Sequence, residues 1–540
     1  MRVTTTLLAI VLCGSTATAQ QAELPSRVRS AADGITATQL SRDLAYLSSD
    51  ALRGRQSPGP GFDSAAAYIA ARLQRAGLKP LGDNGTFFQA YDLRDERIDT
   101  AAAYVEAGGQ RFRFGDDFVM RTFAGALTGT FQVVYVGHGW VVPGQGIDPY
   151  ANVDVRGKIL LVHGGDPPRN AGVRQLGRVT PNASSPANEA LRRGAAGILY
   201  IAQRSALDGW ALLRRASLTR LEMHPIVPSA YAAAPMTSMV LQARVTEALA
   251  RGERIGGSAL TALGDSARHP ASFQFANAVT LNIPLASQVV HRPYNVVAMI
   301  EGSDPVLRNE HITIESHLDG AVGRAARDGD SIYNAADDNA TGSAGNLAIA
   351  EQMMRAPRPK RSLIFIWDSG EERGLWGTRY FVHAPPVPLA NIVAHFNIDM
   401  IGATRKAGSP DSSDVRISGP NEVYVTGPRV LSAAADSLLD RVNRSYLNIN
   451  LNHEFDRADH EFFYPRTDAG PFLERGVLIL GFQTGLHSRY HLPSDEAQYL
   501  DPQKMEVITR TLFASVWAFA DAAERPRIDK EIPASVPRHR

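Results

Sequence analysis

The stretch Ala335-Ala336-Asp337-Asp338-Asn339-Ala340-Thr341-Gly342 is the segment around which the predicted fold is arranged. Two acidic residues stand side by side, small residues surround them, and apolar residues at helical spacing follow from Leu347 to Met354. In isolation the pattern is typical of a helix N-terminus, where Asp and Asn cap free backbone N–H groups and complement the dipole. Adjacent carboxylates repel each other, however, unless a positive charge lies near them. The alternative interpretation is that the pair faces bound cations.

Short apolar runs alternate with helical segments on both sides of this stretch, from Thr280 onwards. The predicted strands are Tyr294–Ile300, His311–Glu315, Ser362–Trp367, Ile392–Ile398 and Val477–Phe482. Asp501 and Pro502 then begin a final amphipathic helix that runs to about Ala522. Such alternation predicts an α/β fold, in which helices cover both faces of a central sheet.

Polar side chains follow four of these strands, at the point where each strand ends. The four clusters are His317-Leu318-Asp319, Asp368-Ser369-Gly370-Glu371-Glu372, Asp399, and the segment from Thr484 to His491. A single His is more often a surface or hydrogen-bonded residue than a ligand. Four such clusters at strand ends are not explained by chance, because ligands of open α/β sheets bind beyond the carboxyl ends of the strands. The sequence therefore predicts a site at this edge of the sheet.

The residue types at the strand ends favour a divalent metal centre. Two histidines and several carboxylates, without cysteine, suit zinc, with manganese or cobalt as alternatives. A carboxylate shared by two ions would hold them about 3.5–4 Å apart, as in two-metal hydrolases. The positive charge of such a centre would lower the pKa of a bridging water towards neutrality. In an extended segment the side chains of Glu371 and Glu372 diverge, so one can bind metal while the other accepts the proton of that water.

These motifs resemble those of the zinc aminopeptidase family with bridged di-zinc sites, which includes bacterial secreted aminopeptidases and glutamate carboxypeptidase II. The likeness is carried by His317-x-Asp319, Ala336 to Gly342, Glu371-Glu372-x-Gly374-Leu375-x-Gly377, Asn397-x-Asp399-Met400 and Tyr490-His491-x-x-Ser494-Asp495. It covers roughly the second half of the chain, with every ligand motif in order. The resemblance implies a zinc-peptidase, phosphorylase/hydrolase-like fold with a mixed central sheet.

The resemblance also implies which residues would hold two Zn²⁺ ions. Asp338 would bridge the ions. His317 and Asp399 would complete one site, and Glu372 and His491 the other.

Further residues receive roles from the same resemblance. Glu371 would be the general base and later the acid that protonates the leaving amine. Asp319 would orient His317, and Tyr490 matches a position that in some relatives hydrogen-bonds the developing oxyanion. Asp337 and Asp495 are interpreted either as groups behind the ligands or as local caps. The remaining nearby histidines, interpreted as structural or pocket-lining, are His453, His460 and His487.

The chain is too long for one ordinary domain. From about Gly129 its sequence pattern changes to short strand-like runs bounded by glycines. Tyr150 to His163 and Ala187 to Ile201 resemble the protease-associated domain that is often inserted in these enzymes. The predicted parts are a signal peptide (1–19), the N-terminal part of the peptidase domain (20–127), an inserted, mainly-β protease-associated domain (128–280), the catalytic metallopeptidase domain (281–525) and a disordered tail (526–540).

The first residues have the pattern of an export signal. Arg2 precedes an apolar core from Leu7 to Leu12 and the small-x-small sequence Ala17-Thr18-Ala19. We therefore expect a secreted or periplasmic protein, whose mature chain has lost Cys13, the one cysteine, and can form no disulfide. A formal net charge of +1 gives no indication of a nucleic-acid partner. The sequence contains no apolar run of about 20 residues, so it predicts no membrane span.

The interpretation that follows is a secreted di-zinc metallo-exopeptidase that acts on peptides. An aminopeptidase would remove N-terminal residues through a metal-bridging hydroxide, with Glu371 as general base. The first alternative is a carboxypeptidase or dipeptidase, for which Arg324, Arg457 and Arg489 are candidates to bind a terminal carboxylate. Glutaminyl cyclisation, which related folds perform with one zinc, is disfavoured because both His317 and Asp399 are present. A non-catalytic receptor is disfavoured by the complete ligand set.

Three features depart from the family pattern. Thr341 replaces the usual Ser, and the mature chain has no cysteine for the pocket disulfide of some bacterial relatives. The segment from Asp456 to Gly476 resembles the pocket-lining loop of the family but contains extra residues. Specificity therefore cannot be transferred from the family to this chain.

Overall fold

The structure, a computed structural model, describes residues 24–122, 126–164, 184–221, 225–226, 236–264, 269–320, 326–405, 408, 416–533 and 536. Within these residues the strands form a nine-stranded, an eight-stranded and a three-stranded sheet. The mixed α/β class predicted from the sequence is confirmed. The predicted signal peptide lies outside the described residues. No described helix is both long and apolar enough to cross a membrane.

The N-terminal segment packs against the nine-stranded sheet. Its elements are α1 (Ser26–Asp33), α2 (Ala37–Leu47), α3 (Pro60–Ala76), β1 (Lys79–Pro80) and β2 (Phe88–Ala90). Helix α2 begins after Thr36, whose hydroxyl accepts a hydrogen bond from the Gln39 N–H. Helix α3 has Pro60 in its first turn and ends at Gly77, which adopts the left-handed conformation with φ of 84°. The Thr36 cap therefore marks the start of α2, and Gly77 marks the end of α3.

The middle of the chain forms the other two sheets. Its elements are β3 (Leu93–Ile98), β4 (Tyr104–Ala107), β5 (Gln110–Arg113), β6 (Phe118–Thr122), β7 (Leu127–Tyr135), β8 (Ile159–His163), α4 (Pro186–Arg193), β9 (Gly197–Ile201), α5 (Arg204–Asp208), α6 (Trp210–Leu221), β10 (Pro225–Ile226), β11 (Thr237–Leu241), α7 (Ala243–Leu249), α8 (Gly257–Leu263), β12 (Phe273–Ile283) and β13 (Leu285–His291). The eight-stranded sheet has the order β5-β4-β12-β7-β8-β9-β11-β6. Strands β3 and β13 pair antiparallel in the small sheet. The segment that enters the middle region and the segment that leaves it therefore lie side by side.

The boundary predicted between residues 127 and 128 differs from the structure. Strands β4, β5 and β6, which precede that boundary, belong to the eight-stranded sheet. Strand β4 pairs with β12, and β6 pairs with β11, so the middle region has already begun at Tyr104. The sequence did not indicate this, because each of these strands is short, and β4 and β6 join the sheet through partners more than 100 residues away. The protease-associated character of the region stays a prediction.

The C-terminal region completes the nine-stranded sheet. Its elements are β14 (Tyr294–Ile300), β15 (His311–His317), α9 (Gly342–Met353), β16 (Ser362–Asp368), α10 (Trp376–His383), β17 (Ile392–Ile398), β18 (Glu422–Thr426), α11 (Pro428–Leu431), α12 (Ala433–Ser445), β19 (Asn450–Asn452), α13 (Ala469–Glu474), β20 (Leu478–Gln483) and α14 (Pro502–Asp521). The strand order is β1-β14-β16-β15-β17-β20-β18-β19, with β2 beside β14. All five strands predicted from this part of the sequence are present.

Helices cover both faces of this sheet. In strand β17 the ring of His395 stacks on Phe472 of α13, with centroids 3.8 Å apart. The next residue, Phe396, packs against Phe519 of α14, with centroids 5.3 Å apart. Successive residues of a strand point to opposite faces. Helices α13 and α14 therefore lie on opposite faces, as the alternation of strands and helices predicted.

The central strands bring the polar clusters to one edge. Strand β15 is parallel to both β16 and β17, and β17 is parallel to β20. Parallel neighbours end on the same side of a sheet, so the residues that follow these four strands meet there. The fold thus brings the strand-end clusters together at one edge of the sheet, as the sequence indicated.

The tail predicted to be disordered from Pro526 packs on the domain in its described part. The Asp529 carboxylate accepts hydrogen bonds from the N–H groups of Ala433 and Ala434, 2.8 and 3.0 Å away, at the start of α12. Val536 is buried in the core. The prediction is therefore wrong for these residues. An acid that caps a distant helix and a single apolar anchor do not form a local periodic pattern.

Helix α9 is buried on nearly every side, and Leu347 within it has no exposed surface. We expect Leu347→Ala to lower the free energy of unfolding by about 2–5 kcal/mol, because the helix cannot collapse into the cavity. Val306→Ala is the matched control, since that side chain is 72% exposed. Denaturant unfolding of the two variants, monitored by tryptophan fluorescence, checks this. Equal losses in the two variants would contradict the buried position of α9.

Candidate metal centre

The turn Ala336–Thr341, which leads into α9, is buried throughout and carries Asp338 at its centre. Asn339 ties this turn to the end of β17. Its amide nitrogen donates to the carbonyl oxygen of Ile398 at 2.9 Å, and its amide oxygen accepts from the N–H groups of Gly342 and Met400 at 2.9 and 3.2 Å. Asn339 thus supplies the helix cap that the sequence suggested for this stretch, and it holds Asp338 close to the residue that follows Ile398.

Asp337 faces away from the candidate metal ligands. One of its carboxylate oxygens accepts from the Gly402 N–H at 2.8 Å and from the Thr341 hydroxyl at 3.1 Å. The other lies 3.2 Å from Nε2 of His487. Asp495 accepts from the backbone N–H groups of Asp337 and Asp338 at 3.1 and 3.2 Å. Both acids therefore stand behind the site and hold its backbone.

The predicted ligands form two groups that share Asp338. One oxygen of Asp338 lies 3.1 Å from Nε2 of His317, and that nitrogen lies 3.4 Å from Asp399. The other oxygen lies 3.0 Å from Nε2 of His491, which is 3.1 Å from Glu372. In each group, three ligand atoms lie within 4.8 Å of one another. The structure thus brings together all five predicted ligands, with the two oxygens of Asp338 directed to different groups.

The polar atoms of these groups fit metal ions. His317 Nε2, His491 Nε2, one oxygen of Glu372 and one of Asp399 are buried and form no hydrogen bond. His317 Nδ1 lies 3.1 Å from the carbonyl oxygen of Asp319, so Nδ1 carries the proton and Nε2 presents its lone pair. Buried polar groups without partners are costly. Divalent cations bound by imidazole and carboxylate would satisfy these atoms.

Asp319, which the resemblance predicted to orient His317, contacts the imidazole through its backbone. Its carbonyl oxygen lies 3.1 Å from Nδ1, whereas its carboxylate lies 3.9 Å away. The carboxylate instead accepts from the N–H groups of Gly370 and Glu371 at 2.8 and 3.2 Å. Asp319 therefore holds the imidazole with its backbone and the turn that carries Glu371 with its side chain.

Glu371 and Glu372 lie in a 3₁₀ turn, Glu371–Arg373, and not in the extended segment that the sequence suggested. Consecutive side chains of such a turn are about 120° apart, which separates the two carboxylates. Glu372 belongs to the group of Asp338 and His491, whereas Glu371 belongs to neither ligand group. Burial raises the pKa of the Glu371 carboxyl well above its usual range, and its neighbour Glu372 raises it further. Because it is not a member of a ligand group, Glu371 is the carboxyl of the pair that remains available for proton transfer.

Tyr490 stacks on the predicted ligand His491, with ring centroids 3.7 Å apart. Burial raises the pKa of the Tyr490 phenol, and the carboxylates of Asp338 and Glu372 raise it further. The phenol therefore keeps its proton and can act as a hydrogen-bond donor at neutral pH. Nη2 of Arg466 donates to its oxygen at 2.9 Å, a contact that the sequence did not indicate.

Arg55, like Arg466, is a residue that the sequence did not single out. Its guanidinium is fully buried and donates to the carbonyl oxygens of Leu318, Asn334 and Ala335, each at 2.9 Å. Burial lowers the pKa of this group to about 10, while nearby site carboxylates raise it, so it stays charged at neutral pH. Arg55 thus connects the N-terminal segment to the residues that flank His317 and Asp338.

A third group of carboxyls is fully buried and separate from the two ligand groups. Glu315, Asp368 and Asp468 present oxygens within 4.8 Å of one another. The Thr378 hydroxyl lies within hydrogen-bonding distance of both Asp368 and Asp468, and its single proton can serve only one of them. Burial raises the pKa of Glu315 and Asp468 well above the usual range. The raised pKa values allow these carboxyls to carry protons in place of charge, and the contact with Thr378 fixes Asp468, just after Arg466 in the chain.

The other residues named from the sequence lie as follows. Arg457 is 3.4 Å from Asp459, Arg489 lies over the ring of Tyr499 at 3.9 Å, and Arg324 is outside the described residues. His453 lies 3.5 Å from Asp456, and His460 stacks on Phe455 with centroids 4.4 Å apart. None of these described side chains belongs to a candidate ligand group.

Comparison with known proteins assigns part of the chain to a family. Residues 295–516, about two fifths of the chain, match Peptidase family M28. This range contains all five predicted ligands as well as Glu371 and Tyr490, and it confirms the family resemblance of the motifs. The match does not extend to the middle region, residues 104–283.

Individual relatives resemble the chain more weakly. Leupeptin-inactivating enzyme 1 of Streptomyces exfoliatus is 30% identical over 172 residues, which cover 31% of this chain and 36% of that protein. The chain thus matches about a third of the length of this curated relative. An aminopeptidase from Aneurinibacillus sp. strain AM-1 aligns over 95% of this chain and 100% of its own, at 16% identity and a TM-score of 0.49. A zinc aminopeptidase from Bacillus subtilis aligns over 92% and 99%, at 16% identity and a TM-score of 0.45.

Removal of the Arg55 guanidinium should weaken both the fold and the metal centre. In Arg55→Met four buried carbonyl oxygens, that of Leu47 included, lose their donor and nearby carboxylates lose a cation, so we expect the free energy of unfolding to fall by roughly 3–5 kcal/mol. Metal affinity should fall roughly 10- to 100-fold, as when groups that support ligands are lost. Arg53→Met, at an exposed arginine two residues away, is the control. Unfolding curves and competition with a chelator measure both effects. Unchanged metal affinity in Arg55→Met would contradict the role given to this residue.

Proposed function

We propose that this protein, whose residues 295–516 match Peptidase family M28, is an exported metallo-exopeptidase that binds two zinc ions and removes N-terminal residues from peptides. The observation that carries the proposal is the position of Asp338, whose two carboxylate oxygens face two different histidine–carboxylate groups. One carboxylate placed between two such groups is the arrangement that a two-metal hydrolase requires. Export is part of the proposal because of the signal-like pattern from Arg2 to Ala19.

The donor set supports zinc as the metal. Each group contains one imidazole and two carboxylates, counting Asp338 in both, and each leaves buried atoms that form no hydrogen bond. This mixture of nitrogen and oxygen ligands suits zinc, while manganese and cobalt can bind the same donors. When bound, the ions would supply Lewis-acid activation of a water and of the scissile carbonyl group.

The remaining chemistry belongs to side chains of this chain. Glu371 is placed beside the ligands without belonging to them, and Asp319 fixes its backbone N–H. In the proposed reaction Glu371 accepts a proton from the attacking water and then delivers it to the leaving amine. The second step requires the carboxyl to hold that proton until the C–N bond breaks.

Tyr490 is proposed to act on the carbonyl oxygen of the substrate. Its phenol is protonated at neutral pH and lies against the imidazole of His491, at the rim of the site. Charge develops on the carbonyl oxygen as the tetrahedral intermediate forms, and a hydrogen-bond donor that is already in place stabilises that charge without reorganisation.

The activity can be tested with chromogenic aminoacyl anilides. The purified protein should hydrolyse those with a free amine and not their N-acetylated counterparts, because the proposed site acts at the N-terminus. A chelator should abolish hydrolysis, and zinc or cobalt should restore it. A panel of dipeptides with free amino and carboxyl termini extends the assay. Absence of hydrolysis on every anilide and dipeptide would overturn the exopeptidase function, and cleavage confined to peptides with a free carboxylate would indicate a carboxypeptidase.

The adjacent glutamates offer a matched pair of variants. Glu371→Gln should keep the metal content and lose turnover by about a thousandfold, because a general base is removed and no ligand is lost. Glu372→Gln should lower the metal content, because a ligand atom is replaced by a weaker donor. Elemental analysis of the purified variants and their kcat values measure both effects. Metal loss in Glu371→Gln with retention in Glu372→Gln would exchange the two roles.

A further inference from the structure

One guanidinium contacts the phenol of Tyr490. Nη2 of Arg466 lies 2.9 Å from the Tyr490 hydroxyl oxygen, at the rim of the candidate metal centre. Arg466 precedes α13, in the segment that follows strand β19. The contact joins two residues that are 24 positions apart in the chain. Neither the motifs nor the spacing of the sequence indicated it.

The chemistry of the two groups determines the direction of this hydrogen bond. A guanidinium has only donors, so the Tyr490 oxygen must accept from Arg466. The phenol has one proton of its own, and that proton is then free to be donated to a third atom. A cation that donates to the phenol oxygen also draws electron density from it, which makes the O–H group a stronger donor. Arg466 therefore both orients the phenol and activates it as a donor.

The guanidinium is itself held in place. Its Nη1 donates to Glu461 at 2.9 Å, and its carbon lies 5.3 Å from the centre of the Phe462 ring. The segment that carries these residues is fixed at both ends. Asp456 accepts from the N–H groups of Gly427 and Arg429 at 2.8 and 2.7 Å, and Asp468 belongs to the buried carboxyl cluster. The arginine is thus placed by the fold, although its side chain is 40% exposed.

We propose that Arg466 is the positioning residue that holds Tyr490 as hydrogen-bond donor to the oxyanion of the tetrahedral intermediate. This inference rests on the proposed exopeptidase function, and it adds a residue outside the predicted ligand and catalytic motifs. In this proposal Arg466 acts on the reaction through Tyr490. Most of the effect of its removal is therefore lost once the phenol oxygen is absent.

A double-mutant cycle isolates this coupling. The variants are Arg466→Met, Tyr490→Phe and the double variant, assayed on an aminoacyl anilide that has no terminal carboxylate. We expect Arg466→Met to lower kcat on the order of tenfold or more with little change in KM, a smaller effect than the loss of an oxyanion donor itself. In the Tyr490→Phe background, the same substitution should change kcat less than about twofold. Arg466→Lys, which keeps one donor, should recover part of the loss.

A binding measurement complements the kinetics. The affinity of the zinc-loaded protein for an aminoacyl phosphonate, a stable mimic of the tetrahedral intermediate, is measured by calorimetry. It should fall in Arg466→Met by about the factor by which kcat falls, and it should not fall further when Tyr490→Phe is already present. Arg444→Met is the control, because Arg444 is an exposed arginine that lies 3.4 Å from an acid, Asp440, away from the site. Metal content and thermal unfolding of every variant should equal those of the unmodified protein.

Other outcomes overturn the proposal. Multiplicative effects of Arg466→Met and Tyr490→Phe would show that Arg466 acts independently of the phenol. A loss confined to dipeptides with a free carboxylate would show that Arg466 binds the substrate terminus. Unchanged kcat in Arg466→Met would reduce the contact to a surface hydrogen bond. If the unmodified protein hydrolyses no anilide or dipeptide, the proposed function fails, and this inference fails with it.

Discussion

Electrostatic repulsion among carboxylates is the constraint on which this structure depends. The carboxyl ends of four parallel strands bring together Asp338, Glu372 and Asp399, with Glu371 beside them. So many acids at a buried edge are stable only if cations or protons balance them. The chain supplies part of the balance through the buried guanidinium of Arg55 and the imidazoles, and two metal ions would supply the rest. An excess of buried carboxylates of this kind would be relieved by divalent cations, as the proposed metal centre requires.

Three acids that belong to neither ligand group all hold the backbone of the site loops. Asp319, Asp337 and Asp495 accept hydrogen bonds from backbone N–H groups of the loops that carry the site residues. Each bond fixes a turn between a strand and the next element, where the backbone has no ladder partner. The loops that carry Asp338 and Glu371 are thus held by hydrogen bonds within the chain, and electrostatic catalysis requires groups that are already in place. Arg466 holds Tyr490 in place in a similar way. It thereby connects the segment from Asp456 to Gly476 with the proposed reaction.

Much of the site could be predicted from the sequence, because strands and their ends leave local signals. Apolar runs located the central strands, and the polar residues just beyond them included four of the five ligands that the structure gathers. The fifth, Asp338, was indicated by the acidic pair in the stretch before α9. Predictions that depended on distant partners were wrong or missing. Strands β4 to β6 were assigned to the peptidase domain although they pair with strands from the middle region, and the tail was taken as disordered although Asp529 caps α12. Arg55 and Arg466 carry no motif, so nothing in their neighbourhood distinguishes them from exposed arginines.

The sequence by itself determined the class of fold, the donor set and the edge of the sheet where the donors lie, because periodicity and strand ends are properties of neighbouring residues. Only the tertiary structure decided how the donors are used. It directed the two oxygens of Asp338 to different histidines, turned the Asp319 carboxylate from His317 to the Glu371 turn, and placed Arg466 on Tyr490. Those contacts join residues separated by 21 to 153 positions, and their geometry follows from the packing of whole elements, which no local pattern records.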